Sequence, residues 1–356
     1  HRVLWGFSST VGRIAWDNSS HRVGQLAYAY QIIGVIQMKS MNRLLEQIKL
    51  GESKSFGQLS VIPVFSDAEP KLPYVTLPEV LGGDQVRISE LKGGASVREL
   101  SVINESGECV LLVDGEELIG AKQNRVLNTT IVVRPMSRTS IPVSCTERGR
   151  WSYKSRDFAD SGVVMPFRTR YNKKLSVDSE LGTTGAYRSN QSQVWRDISQ
   201  MSVIADESSP TDAMRDVYES RMPSLEQYTD AFKAVPGQKG MVVLIGEEVA
   251  GMEVFSRESA FQSLSPKLIK SYAMDVLLEG LNGVSSPAPG VAKDFTDKLA
   301  GLPSKSYKSV GAGWDHRFTG DEVTGSALTY RNEVIHASFY NKQSAVQLNR
   351  TDPVAR

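Results

Sequence analysis

The stretch Cys109-Val110-Leu111-Leu112-Val113-Asp114-Gly115-Glu116-Glu117-Leu118-Ile119-Gly120 sets the character of the chain. An apolar run, an Asp-Gly turn and a second apolar run make a β-hairpin signature, with Glu116-Glu117 lengthening the turn. Outward from it the pattern stays β. Val86 and Ile88 alternate with polar neighbours, as do Val97 and Ile103, and Thr129 to Val133 is a β-branched run that stops at Arg134-Pro135. Leu59 to Phe65 reads as a strand whose Pro63 favours an edge position. Residues 67–84, with Pro70, Pro73, Pro78 and Gly82-Gly83, read as loop.

The second half changes period. Val194, Trp195, Ile198 and Met201 form a helical stripe after Asn190. Ser209-Pro210 offers a helix start before Ala213, Met214, Val217 and Tyr218, and Leu225, Tyr228 and Phe232 suggest a further short helix ending at Gly237. Ser265-Pro266 opens the strongest helix, through Leu268, Ile269, Tyr272, Ala273, Val276 and Leu277 to Gly280, and Val291, Phe295 and Leu299 suggest another. Strands return at Met241–Gly251, which echoes Val110–Gly120, and at Ser326–Phe339. Similar turns need similar residues, so the echo is weak evidence of duplication. Strands and helices without βαβ alternation predict an α+β fold: antiparallel, hairpin-rich sheets with several helices packed on one side.

The whole chain of 356 residues is 40% hydrophobic and 23% charged, with net charge +1, which excludes wholesale disorder. Near-neutrality argues against nucleic acid or a membrane surface as partner. The two cysteines, Cys109 and Cys145, build no disulfide framework, so a reducing, cytoplasmic setting is expected. Residues 1–40 hold two of the five tryptophans and two of the four histidines, and their apolar stretch from Leu26 to Met38 is too short to span a bilayer. We read 1–40 as an extension, upstream or non-native, and 41–356 as a single domain, β-rich over 56–150 and mixed over 185–345. Leu44, Leu45, Ile48 and Leu50 fit one helical face closed by Gly51. Of the 41 basic and 40 acidic residues, four and one lie in 1–40, leaving 37 against 39.

That balance hides a local asymmetry. From Lys122 to Lys174 twelve basic residues face three acids. Lys122, Arg125 and Arg150 suit phosphates. Gln123, Asn124 and Asn128 suit ligand hydrogen bonds, with Glu147 among them, and Trp151 or Tyr153 suits stacking on a base. The adjoining Asp114, Glu116 and Glu117 suit a carboxylate base or the ligands of a divalent metal. Each has a plainer reading: acidic pairs in turns are commonly solvated, and basic residues commonly line an exposed face. Cys145, near Arg148 and Arg150, reads better as a buried small hydrophobe than as a nucleophile. His316 and His336 lack zinc spacing, and there is no Walker A, GxGxxG, HExxH or GxSxG motif.

The run Leu111–Thr130 strongly resembles the ARPP domain, whose name abbreviates "ADP-ribosylglycohydrolase (ARG) and rhodanese/phosphatase superfamily-associated protein". Ile141 to Trp151, Gln191 to Ile198, Ser271 to Asp275 and Gly325 to Leu328 resemble further blocks, so the likeness spans Met41 to Asn341. Arg148 departs from the pattern, where Gln is common. The resemblance implies no reaction by itself. Its associations imply NAD or ADP-ribose metabolism, hence binding, and hydrolytic processing, of a phosphorylated nucleotide-type small molecule. The alternative is a non-catalytic ligand sensor or a protein-interaction module. The residues leave open whether the chain is an enzyme.

Overall fold

The chain is described by a computed structural model over residues 40–91 and 97–347. The reading of 1–40 as an extension falls outside the described residues, Ser40 apart. A helix α1 (residues 40–47) leads straight into β1 (Ile48–Leu50) and β2 (Lys54–Phe56), then β3 (Leu59–Ser66), β4 (Tyr74–Thr76), the short α2 (Leu77–Val80), β5 (Val86–Glu90) and β6 (Glu99–Asn104). The hairpin-like stretch supplies β7 (Cys109–Leu112) and β8 (Glu116–Gly120), followed by β9 (Arg125–Leu127), β10 (Ile131–Val133), β11 (Ser137–Cys145) and β12 (Phe158–Val164). Helices α3 (Phe167–Thr184), α4 (Gln191–Ile204) and α5 (Met214–Ala231) precede β13 (Gly240–Ile245), β14 (Glu248–Phe255), α6 (Glu258–Leu278) and α7 (Val291–Leu299). The chain ends with β15 (Ser304–Lys308), β16 (Trp314–Thr319), β17 (Val323–Tyr330), β18 (Glu333–Asn341) and α8 (Lys342–Gln347).

These strands form three sheets. A nine-stranded sheet runs β1-β3-β13-β14-β18-β17-β16-β15, with β2 also on β3. A six-stranded sheet runs β12-β8-β9-β11-β6-β5, and a three-stranded one β10-β7-β4, in which β4 lies parallel to β7. The fold is α+β with antiparallel sheets, as the residue pattern predicts.

Alternation fixes the layers. In the three-stranded sheet Leu111 and Val132 face one core while Val110, Leu112, Ile131 and Val133 face another, shared with Ile88, Leu100, Leu118, Leu127 and Ile141 of the six-stranded sheet. The large sheet is covered on both faces: α3 to α6 pack one, and Met41 and Leu44 of α1 with Ala292, Phe295 and Leu299 of α7 pack the other. Helices on a single side were expected. The second face is as apolar as the first, through Ile62, Val64, Val242, Leu244, Met252 and Val254, and needs its own cover.

Several local readings change. The Asp114-Gly115 turn joins no hairpin: β7 pairs with β10 and β4, whereas β8 pairs with β9 and β12. The chain passes from one sheet to another there, with Gly115 at φ 84°. The other two units are true hairpins, β13–β14 and β17–β18, the second turning on Arg331 and Asn332 at φ 52° and 60°. Pro63 is not on an edge, since β3 lies between β1 and β13. Its carbonyl accepts from Gly51 N at the break between β1 and β2, so its own side there needs no amide hydrogen. Ile48 and Leu50 are in strand register with Ser66 and Val64, which ends α1 early. Helix α5 begins at Met214, after the Ser209-Pro210 signal, and runs through Pro223 so that the two expected helices are one; α6 begins at Glu258, ahead of Ser265-Pro266, and holds Pro266 in its interior.

Candidate functional site

The basic block and the acidic turn lie around the β8–β9 connection. Gly120, at φ 130°, has no room for a Cβ, which would lie 2.5 Å from Ser155 Oγ and 2.8 Å from the Asp157 carbonyl. The tight turn after it aims two carbonyls at Arg150. That guanidinium donates from Nε to Glu147 Oε1 (2.8 Å), from Nη1 to the carbonyls of Ala121 (2.6 Å) and Ser152 (2.9 Å), and from Nη2 to the Gly120 carbonyl (3.2 Å) and Asn124 Oδ1 (3.1 Å). All five N–H groups are used, so Arg150 has no donor for a phosphate in this state. Glu147 also accepts from Asn124 N and Thr211 Oγ1. Burial alone would raise its carboxyl; Arg150 and these donors outweigh burial and hold it below its usual value.

The three carboxylates of the turn do not converge. Asp114 pairs with Lys173, whose Nζ also donates to the Leu127 carbonyl at 2.9 Å. Glu116 accepts from Lys267 Nζ (2.8 Å) and Val113 N (2.6 Å), and Lys267 also pairs with Asp160 at 2.6 Å. Burial pulls that ammonium down, but its two carboxylates hold it above the usual lysine value. Glu117 has neither cation on it. Thr146 donates to its Oε1 at 2.8 Å, its Oε2 has no partner, and burial pushes its carboxyl up to about 7. Among the described residues, no three His, Cys, Asp or Glu side chains are grouped to hold a metal ion.

The other predicted residues divide between core and surface. Arg125 is buried and donates to Gln123 Oε1 at 3.0 Å; Gln123 Nε2 reaches the Arg148 carbonyl at 3.4 Å. Asn128 donates to the Tyr187 carbonyl (3.0 Å) and accepts from Ser144 (2.6 Å), which ties the block to the chain before α4. Cys145 is buried beside Arg125, and burial outweighs that cation to raise its thiol. Lys122 is half-buried, 5.1 Å from the centroid of the Tyr153 ring, whose hydroxyl donates to Glu90 at 3.1 Å. Trp151 is 60% exposed and Tyr153 62%, with Arg148, Lys154 and Arg156 exposed around them. Arg148 lies over the Trp195 ring at 5.6 Å.

Sequence reasoning missed the densest ionic cluster. Helix α3 buries Arg170, Lys173 and Lys174 on its inner face. Arg170 pairs with Glu253 of β14, Lys173 with Asp114 and Lys174 with Asp178. Arg317 of β16 reaches Asp178 (3.0 Å), Asp315 (2.7 Å) and Thr129 (2.7 Å). Glu253 also meets His336 at 3.0 Å and Tyr272 at 3.3 Å. Burial opposes ionisation of Glu253, but Arg170 and His336 hold it below its ordinary value. The one available signal was the run of basic residues through Lys174, which periodicity could not place on a buried face.

A family model described as the ARG and Rhodanese-Phosphatase-superfamily-associated Protein domain matches residues 47–340. No curated protein and no solved structure matches the chain. Among the described residues no helix is long and apolar enough to cross a membrane.

Proposed function

The chain belongs to the family of ARG and Rhodanese-Phosphatase-superfamily-associated proteins, and from that premise we propose that it binds a phosphorylated nucleotide-type small molecule, with ADP-ribose as the first probe. The observation that carries this reading is the exposed aromatic and basic face. Trp151 and Tyr153 stand in solvent among Lys122, Arg148, Lys154 and Arg156, which pairs ring faces for a base with cations for phosphates. In this reading Lys122 and Trp151 take the ligand directly. Arg150, Glu147 and Asn124 fix the loop beneath it, and Gln123, Arg125 and Asn128 hold the strands behind. The experiment is a thermal-shift and calorimetric titration with NAD and ADP-ribose, with and without Mg. A ligand at about 100 times its Kd stabilises the fold by about 2.7 kcal/mol. Trp151→Ala and Lys122→Ala are expected to keep the fold and lose the shift. Unchanged affinity in both removes the face as the site.

Hydrolysis of the bound ligand is a second reading, favoured by Glu117. It carries no cation and is raised by burial to about 7, which suits general acid–base work at neutral pH. Glu117 is fully buried, so this reading requires the fold to open at Thr146 when ligand binds. Product formation that Glu117→Gln abolishes without loss of binding supports it. Binding without product supports a sensor.

A further inference from the structure

A second constellation lies deeper and uses none of the residues of the Trp151 face. Thr130 Oγ1 is 3.1 Å from His336 Nδ1, and His336 Nε2 is 3.0 Å from Glu253 Oε2. The three residues come from distant parts of the chain: the residue before β10, then β18 and β14. The imidazole is fixed from the side as well, stacked on Phe255 with centroids 4.4 Å apart.

Glu253 is paired with Arg170 through its other oxygen, so it is ionised and can only accept. Nε2 therefore carries a hydrogen toward Glu253, and acyl transfer uses the tautomer in which Nδ1 presents its lone pair to Thr130. In that tautomer the Thr130 hydroxyl donates to Nδ1, and its oxygen accepts from Asp114 N at 3.2 Å. A hydroxyl, an imidazole and an orienting carboxylate in this order are the parts of an activated nucleophile. We propose that Thr130, His336 and Glu253 form a nucleophile–base–orienter site for acyl transfer from small uncharged esters.

The electrostatics select the substrate class. The cations nearby are already matched: Arg170 by Glu253, Lys173 by Asp114, Lys174 by Asp178 and Arg317 by Asp315. A phosphoryl group would bring unmatched negative charge into a buried, balanced cluster, at high desolvation cost. An ester carbonyl brings none. Size follows from burial: Thr130 and Asp114 keep only 7% and 6% of their surface, which excludes a bulky acyl group.

The step balances within the site. Thr130 Oγ1 bonds to the ester carbonyl carbon as its proton passes to His336 Nδ1. The carbon–oxygen bond to the leaving alcohol breaks, and that oxygen takes the proton from Nδ1. Water then attacks the acyl-threonine, gives its proton to Nδ1, and the proton returns to Thr130 as the acid leaves. Glu253 touches no reacting atom and acts as a positioning residue.

The test uses the full chain and p-nitrophenyl acetate. The expected result is a nitrophenolate burst with an acetyl group mapped by mass spectrometry to Thr130. Thr130→Val is expected to lose burst and label, and Thr130→Ser to keep both. Glu253→Gln is expected to lower kcat about 100-fold or more with KM unchanged. No label at Thr130 on the folded wild-type chain overturns the proposal, as does an equal burst in folded Thr130→Val. If Thr130→Val does not fold, absence of turnover in folded Thr130→Ser overturns it instead. The acetyl label at Thr130 and the ADP-ribose titration are read in separate assays on the wild-type chain, which separates failure of this proposal from failure of the nucleotide-binding reading.

Discussion

Gly115 and Arg170 pack so closely that a Cβ at position 115 would lie 2.7 Å from Arg170 Cδ and 3.2 Å from its Cγ. The turn between two sheets is thereby keyed to the helix that carries the buried cations. Gly115 is at φ 84°, where an L-residue costs about 1–2 kcal/mol. Gly115→Ala adds to that the displacement of Arg170 from Glu253, and breaking a buried pair costs about 3–5 kcal/mol. We expect at least about 3 kcal/mol of destabilisation in urea unfolding. A loss below about 1 kcal/mol would show that the turn moves freely of α3.

Arg150 has a structural role that its chemistry as a phosphate ligand would hide. Its five donors are spent on Glu147, Asn124 and the carbonyls of Gly120, Ala121 and Ser152. Arg150→Ala leaves Glu147 buried without its cation, and about 3–5 kcal/mol should be lost. Arg150→Lys cannot reproduce the planar fork and should recover less than half of that loss. Recovery to wild-type stability by lysine would mean that charge alone matters here.

Much of the scaffold was legible, and the failures share one cause. Asn190 does cap α4 by accepting from Gln193 N, and Val194, Ile198 and Met201 are buried as their spacing predicts. The β13–β14 and β17–β18 hairpins were equally local. The Asp114-Gly115 turn has the same local chemistry, but strand partners are chosen by distant apolar faces, and nothing within the turn encodes them. Helix α3 was missed because its inner face carries Arg170, Lys173 and Lys174, which defeats hydrophobic periodicity. Their partners Glu253 and Asp114 lie 83 and 59 residues away in the chain. Of the candidate site, residue types were legible and exposure was not: Lys122, Trp151 and Tyr153 reach solvent while Arg125 and Arg150 do not.

Two buried carboxyls set a pH dependence. Glu117 is raised to about 7 and Asp275 to about 6, each chiefly by burial. Each binds its proton more tightly in the folded chain than in the unfolded one. Their contribution to stability is therefore fully present below their ordinary values and is lost as pH rises through about 6 and 7. Glu117→Gln should shrink the fall in stability between pH 5 and pH 8 by about 1 kcal/mol or more, since one pKa unit is worth about 1.4 kcal/mol. Parallel pH profiles for variant and wild type would remove Glu117 as the source.

Asp275 also closes the N-terminus of α3 from outside that helix. Pro166 occupies the cap position and offers no side-chain acceptor, while Asp275 Oδ2 of α6 accepts from Arg168 N at 3.0 Å. One turn earlier on α6, Ser271 Oγ donates to the Met165 carbonyl at 2.6 Å, so the two helices are clipped together where α3 begins. Asp275→Ala removes the acceptor and should cost about 1–2 kcal/mol at pH 5, the usual value of a lost cap, and less at pH 8, where the ionised, buried carboxylate already weakens the wild-type fold. Asp275→Asn keeps an acceptor and removes a charge whose burial outweighs the pull of Arg168. It should match wild type at pH 5 and be at least as stable at pH 8. Thermal unfolding at the two pH values decides the matter: if asparagine is as damaging as alanine at both, the carboxylate charge rather than the acceptor holds α3.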